Sequence, residues 1–338
     1  MVRALFLLPC RAGEPRGNAT TAARLAAGLA RQGVTVQPWP VAEVEQAPAA
    51  DVLVACHARR SGPATRELAR ARGRPWVILF TGTDLNGRPG AAARRAVAEA
   101  AARVVLGRAA ARRARQLHGG GPADYRVIRQ GAWPLPEPAA GEPPPPFLAS
   151  LPDQAEPVLV PAGVRSVKAP RRALRALAPL AARRPNLRLL FLGPELERRE
   201  GDALRRALAE APWAAWPGAL PRERLLTAVR RAVLVLSPSR SEGGPPNALL
   251  EAALAGRAVI ASDIPAHREF PGREHLFTDD ADLRRRLVAL LDDAGERARA
   301  AARLRETARR EFSPRAEAAA WATLLRAVAA GRPPPAGH

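Results

Sequence analysis

The sequence predicts an α/β protein built from two doubly wound parallel sheets, each flanked by its own helices. Three observations carry that expectation. Short apolar runs alternate with longer Ala, Leu and Arg segments of helical period through the first 133 residues. A proline-rich stretch interrupts the pattern, and the same alternation restarts beyond it. The 338 residues also suffice for two ordinary hydrophobic cores.

Residues 4–8 are an unbroken apolar run of strand length, and a helix over 20–32 follows, stopping before Gly33, a residue suited to closing a helix. Further strands are expected at 35–37, 51–56, 76–80, 103–106 and 126–128, where β-branched and apolar residues gather between helical segments. In a sheet of order 3-2-1-4-5 the strands leading to Cys10 and Cys56 would be separated by another strand. The two cysteines, too few for a disulfide framework or a four-thiolate metal site, are expected as buried thiols.

Between Pro134 and Pro157 there are nine prolines, including the run 143–146, which is not expected to join a helix or a central strand. Residues 134–157 are read as a linker that ends a first domain at residue 133. A second domain, 158–312, has strands at 158–161, 187–192, 233–236 and 258–261, with helices near 171–182, 203–210, 247–255, 283–291 and 296–310. A last helix, within 313–330, would return to the first domain, and 331–338 is a frayed tail. Open sheets of this kind bind ligands beyond the carboxyl ends of their strands, so the site is expected between the domains.

Apolar residues make up 47% and charged residues 25% of the chain, which excludes a disordered or fibrous protein. No stretch reaches the roughly 20 apolar residues of a membrane span, and residues 4–8 are too few for a secretory signal core, so a cytoplasmic location is expected. The net charge of +21 raises an anionic membrane surface or nucleic acid as partner. All but one of the 53 basic residues are Arg, however, and Ala, Gly and Pro also abound, the pattern of GC-biased coding. Nucleic acid is disfavoured by the scarcity of stacking aromatics. Arg108, Arg112 and Arg115 share one helix face and could meet anionic lipid peripherally. A basic binding protein for membrane surfaces or nucleic acid is therefore the alternative of another class.

The strongest chemical constellation is SPSRSEGGPPNALLEAALAG at 237–256: a polar turn after an apolar strand, two glycines, two prolines, then an apolar helix. Gly243 and Gly244 permit close backbone approach, and Pro246 with Asn247 suits a helix start whose free amides can hold phosphate. Glu242 lies in the turn and Glu251 one turn into the helix. After the first strand of the second domain, PAGVRSVKAP brings Arg165 and the only lysine, Lys168. In the first domain, GEPRGNATTAARL offers Gly17 and Asn18 before a helix. ACHARRSG offers His57, Arg59 and Arg60 for an anionic group, and FTGTDLN offers Thr83 and Asp84 for a hydroxyl. Asp280-Ala281-Asp282 matches a metal-binding Asp-x-Asp only trivially, since acids are expected where a helix begins, and no metal site is assigned.

With "GRAVIASDIPAHRE" downstream, the acidic residue, glycine-rich turn, second glutamate and small-residue helix resemble the donor-binding motif of retaining family 4 glycosyltransferases of the GT-B fold. The resemblance implies two Rossmann-like domains and sugar transfer from a nucleotide-sugar, UDP-linked by expectation, with retention and without metal or other cofactor. It implies that Glu242 contacts the donor sugar, Glu251 the ribose, and Arg165 with Lys168 the diphosphate. The turn between the two glutamates is one residue longer than the family pattern, Arg165 and Lys168 stand closer together, and Thr81 stands where relatives often carry His. GNATTA, HARRS, TGTDL and VRSVKAP are most similar to a subgroup that includes the selenosugar synthases of selenoneine biosynthesis and glycosyltransferase 1 domain-containing protein. That subgroup implies an alternative reaction, coupling of UDP-N-acetylglucosamine with selenophosphate. Otherwise the acceptor is a small molecule or glycan.

Overall fold

The computed structural model describes residues 1–14, 16–133 and 144–333. They form two units. The first contains Met1–Gly131, Gly243–Pro245 and the C-terminal segment from Phe312; the second contains the described parts of Ala132–Glu242, and Pro246–Glu311. Of the expected linker and tail, residues 134–143 and 334–338 lie outside the described residues.

The first unit runs β1 (Val2–Leu8), α1 (Gly17–Ala30), β2 (Val34–Pro40), β3 (Val52–Cys56), α2 (Gly62–Ala71), β4 (Trp76–Leu79), α3 (Ala91–Glu99), β5 (Ala102–Val105), α4 (Arg108–His118) and β6 (Arg126–Val127). Its six strands are parallel in the order β2-β1-β3-β4-β5-β6. The central strands are apolar on both faces because helices cover both. This order corrects the one expected from sequence: β2 lies outside β1, so β1 pairs directly with β3, with Leu7 opposite Ala55. Cys10 and Cys56 therefore line one core face, both buried and both free thiols. Burial pushes both thiols up.

The second unit runs α5 (Pro146–Ala149), β7 (Glu156–Val160), α6 (Pro170–Ala181), β8 (Leu187–Leu192), α7 (Arg198–Ala209), β9 (Ala214–Gly218), α8 (Arg222–Arg231) and β10 (Leu234–Ser237). It continues with α9 (Asn247–Leu254), β11 (Ala258–Ser262), α10 (Pro265–Glu269), β12 (Leu276–Phe277), α11 (Asp280–Asp292) and α12 (Ala294–Glu311). Its strand order is β12-β11-β10-β7-β8-β9, which reverses direction between β7 and β10. Strand β9, at the sheet edge, was not expected from sequence; it alternates half-buried and exposed residues around Pro217. Pro146 does enter a helix, contrary to expectation, but as the first residue of α5, where its missing N–H is not needed. Asp279, rather than the following Asp-x-Asp, caps α11, accepting from the amides of Ala281 and Asp282.

The last helix, α13 (Pro314–Ala329), packs in the first unit against α1. Gly28 permits the approach, since a Cβ there would stand 3.0 Å from that of Ala318. Arg24 donates twice to Glu317, at 2.9 Å each, with both side chains buried. Trp321 lies in the core with its ring centroid 5.9 Å from that of Phe6. Among the described residues no helix is long and apolar enough to cross a membrane.

Candidate active site

Strand β7 ends at Val160, and the chain passes through Gly163 and Arg165 into a tight turn, Ser166–Lys168. Ala169 closes that turn in the left-handed conformation, at φ 48°, and Pro170 opens α6. A non-glycine residue rarely adopts this conformation, so surrounding bonds must hold it. The Ser166 amide donates to Glu197 at 2.8 Å, and the Arg240 amide donates to the Val167 carbonyl at 2.8 Å. The second bond ties the loop after β7 to the loop after β10.

At this point of strand-order reversal lies a pocket lined by the ends of β7 (Val160, Pro161, Ala162) and β10 (Leu236, Ser237), with Lys168, Ser239 and Glu242. Crevices at such reversals are where doubly wound sheets bind ligands. The first turn of α9 contributes Pro246, Ala248 and Leu249 to the lining, and this helix carries no side-chain cap at its N-terminus. Its positive dipole end thus faces the same space as the Lys168 ammonium.

Lys168 Nζ donates to Glu242 Oε1 at 2.5 Å, with 15% and 10% of the two side chains exposed. Burial pushes the Glu242 carboxyl up, but Lys168, His267 and the hydrogen bonds from Lys168 and Ser239 outweigh it and hold the group below the ordinary carboxylate range. Glu251 points elsewhere: it accepts from Arg222 Nη1 at 2.6 Å, and the Arg222 guanidinium lies 4.5 Å from the Trp133 ring centroid. Asn247 is the first residue of α9, and Gly243 and Gly244 are buried in the turn before it. Among the described residues, Arg165 and Glu251 are not part of the pocket lining, whereas Lys168 and Glu242 both are.

In the first unit, α1 begins at Gly17 rather than at Thr20, with Gly17 exposed and Asn18 half-buried. His57 follows β3 at φ 129°, strained for a residue with a side chain. Its Nδ1 accepts from the amides of Arg59 and Arg60, at 3.3 and 3.1 Å, so Nε2 carries the proton and donates to Thr83 Oγ1 at 3.0 Å. Burial, with Arg60 and Arg59 nearby, lowers the affinity of this ring for a second proton despite Asp84. Thr83 therefore accepts from His57 and keeps its own hydroxyl proton for another partner. Arg59 and Arg60 are exposed, and Arg59 donates to the Asn86 carbonyl at 2.7 Å. Asp84 is fully buried, and its oxygens accept from the amides of Ala58, Thr81 and Gly82 at 2.8 to 3.2 Å. It holds two loops together, and a ligand hydroxyl would have to displace those amides.

Several groups of the site are not evident from the motifs. Ser237, Ser239 and His267 lie behind Glu242, and Arg222 with Trp133 engages Glu251. The alternating serines at 237, 239 and 241 were one available signal, and the rarity of histidine, five in the chain, was another. Pairing across 29 residues, as between Arg222 and Glu251, left none.

Residues 156–293, which span this pocket, match the family described as Glycosyl transferases group 1. No curated protein matches the chain. Among solved structures, the chain is similar to HepE of Anabaena in complex with UDP-glucose, at 17% identity and a TM-score of 0.77, over 97% of this chain and 100% of that one. It is similar to sucrose-phosphate synthase from Thermosynechococcus elongatus, at 16% identity and 0.77, over 98% and 100%. A glycosyltransferase from Rickettsia africae follows at 13% identity and 0.74, over 97% and 98%. These likenesses show that the fold is GT-B.

Proposed function

We propose that the protein transfers a sugar, with retention and without metal or other cofactor, from a UDP-linked donor to a small-molecule or glycan acceptor. The observation that carries this reading is the convergence of the Lys168 ammonium and the N-terminus of α9 on one pocket at the β7/β10 reversal. A departing diphosphate gains negative charge, and a cation about 4 Å away contributes about 4 kcal/mol at an effective dielectric near 20, before desolvation. Lys168 and Arg165, with the backbone amides of Gly243, Gly244 and Asn247, take the role of stabilising the leaving group. Glu242 orients the donor sugar, and Glu251, released by or shared with Arg222, holds the ribose. Gly17 and Asn18, at the start of α1, are the first unit's own candidates for a donor contact. HepE was solved with UDP and with UDP-glucose, which supports the donor class.

The exposed Arg59 and Arg60, which follow the His57 that binds the Thr83 hydroxyl, favour an anionic acceptor. They support the narrower reading of a selenosugar synthase, in which selenophosphate attacks UDP-N-acetylglucosamine and releases UDP. Arg108 and Arg112 are exposed on α4, as peripheral contact of a cytoplasmic enzyme with anionic lipid requires. A thermal-shift screen of nucleoside diphosphates and their sugars tests the donor. UDP and one UDP-sugar are expected to raise the melting temperature, because a ligand that binds only the native state stabilises it. Stabilisation by none of them would defeat the reading. Selenophosphate consumed together with UDP-N-acetylglucosamine would establish the narrower one, and turnover only with carbohydrate acceptors would reject it.

A further inference from the structure

Behind the Lys168–Glu242 pair lies a layer of buried polar groups that the sugar-transfer reading does not use. His267, in α10, is fully buried, and both its ring nitrogens are engaged. Nδ1 lies 2.8 Å from the Ser262 carbonyl oxygen, and Nε2 lies 3.3 Å from Ser237 Oγ. A carbonyl oxygen only accepts, so Nδ1 carries the proton of the neutral ring and Nε2 accepts from the Ser237 hydroxyl. Ser237 Oγ is in turn 3.3 Å from Ser239 Oγ, and the Ser239 side chain hydrogen-bonds Glu242. The Ser262 hydroxyl donates to the Ser239 carbonyl, fastening the end of β11 to the loop that carries Glu242.

We propose that His267 is a positioning residue for Glu242, acting through the Ser237 and Ser239 hydroxyls. The arrangement follows from counting protons. Each serine has one to give. With the ring neutral, Ser237 donates to His267 and Ser239 donates to Glu242, so the contact between the two hydroxyl oxygens carries no proton. When Nε2 takes a proton from solvent, Ser237 can turn to donate to Ser239, and every donor in the line then points at Glu242. The carboxylate thus has a second source of positive charge. An anionic ligand that engages Lys168 would otherwise leave it buried without a counter-ion, a costly state. Ser237 and Ser239 touch both ends of the line, whereas His267 itself does not line the pocket. The charged groups acting on the ring are Glu242 and Asp263, which favour its protonation, and Lys168, which opposes it.

The inference rests on the donor-site reading only for its link to turnover, and the two can be tested apart. The probe is the 15N spectrum of the His267 ring in the full-length chain labelled at histidine, titrated from pH 8 downwards. Ser239→Ala and Glu242→Gln touch no ring atom, yet each is expected to move the Nε2 signal and lower the titration midpoint. Lys168→Ala is expected to raise it. Ser239→Thr, which keeps the hydroxyl, should restore the parent spectrum. A ring that ignores both Ser239→Ala and Glu242→Gln overturns the proposal, whatever the activity. In the second arm, Ser237→Ala and Ser239→Ala are expected to lower kcat for donor turnover by about tenfold to hundredfold at unchanged KM, the scale of a slightly misplaced group. Coupling in the spectrum with unchanged kcat would support the His267–Glu242 line and remove Glu242 from the donor machinery.

Discussion

Lys168 and Glu242, separated by 74 residues, meet at 2.5 Å on one wall of the β7/β10 pocket. Each loop would be an ordinary strand-to-helix connection alone. Together they place a cation and a carboxylate where the sheet leaves room for a ligand, and the helix dipole of α9 favours an anion there.

Removing the ammonium separates its two roles. Lys168→Ala is expected to lower turnover of the UDP-sugar by about 10² to 10³, the scale for losing one preorganised charge. It should also lower the melting temperature, because Glu242 stays buried without its counter-ion. Adding Glu242→Gln should recover the melting temperature but not the turnover. Unchanged turnover in Lys168→Ala would reject its assignment to the leaving group.

The clamp on the C-terminal helix is a second point of test. Both Arg24 and Glu317 are buried, so Glu317→Ala removes the carboxylate that faces a buried guanidinium and is expected to cost about 3–5 kcal/mol in denaturant unfolding. The double replacement Arg24→Met with Glu317→Leu should cost much less, because both charges are removed and the space is refilled. Equal losses in the single and double variants would show that the pair is not the source of the effect.

Acid should weaken the fold in two stages. Burial holds His57, His118, His267 and His275 below the ordinary imidazole value of 6.5, so the unfolded chain binds more protons than the native one once the pH falls under about 6.5. Their contribution is complete above that value and is lost as the pH falls through the native values. Glu242, lowered from 4.5, adds a second loss as the pH drops below about 4.5, since its native carboxylate releases its proton more readily than the unfolded one. Thermal melts from pH 8 to 4 should therefore decline below about 6.5, and His267→Gln should flatten part of the upper stage. A melting temperature constant down to pH 4.5 would contradict the burial of these rings.

The alternation of apolar runs and helical segments determined the class of both units, because parallel strands buried on two faces must be continuously apolar. It also located the turn at Glu242 and the lysine loop, since glycine, proline and a lone lysine stand out in an Arg- and Ala-rich chain. Edge strand β9 escaped notice because its Ala, Pro and Gly residues are poor strand formers and none of its residues is β-branched. Which strands are neighbours was decided only by tertiary structure: nothing local specifies whether β2 lies inside or outside β1, and with that choice went the placement of Cys10 beside Cys56. The same holds for the partners of the charged groups. The residue types at 168, 242 and 251 announced an anion site, but long-range packing paired Glu251 with Arg222 and buried His267 behind Glu242, because hydrogen-bond partners are chosen by distance in space and not by spacing along the chain.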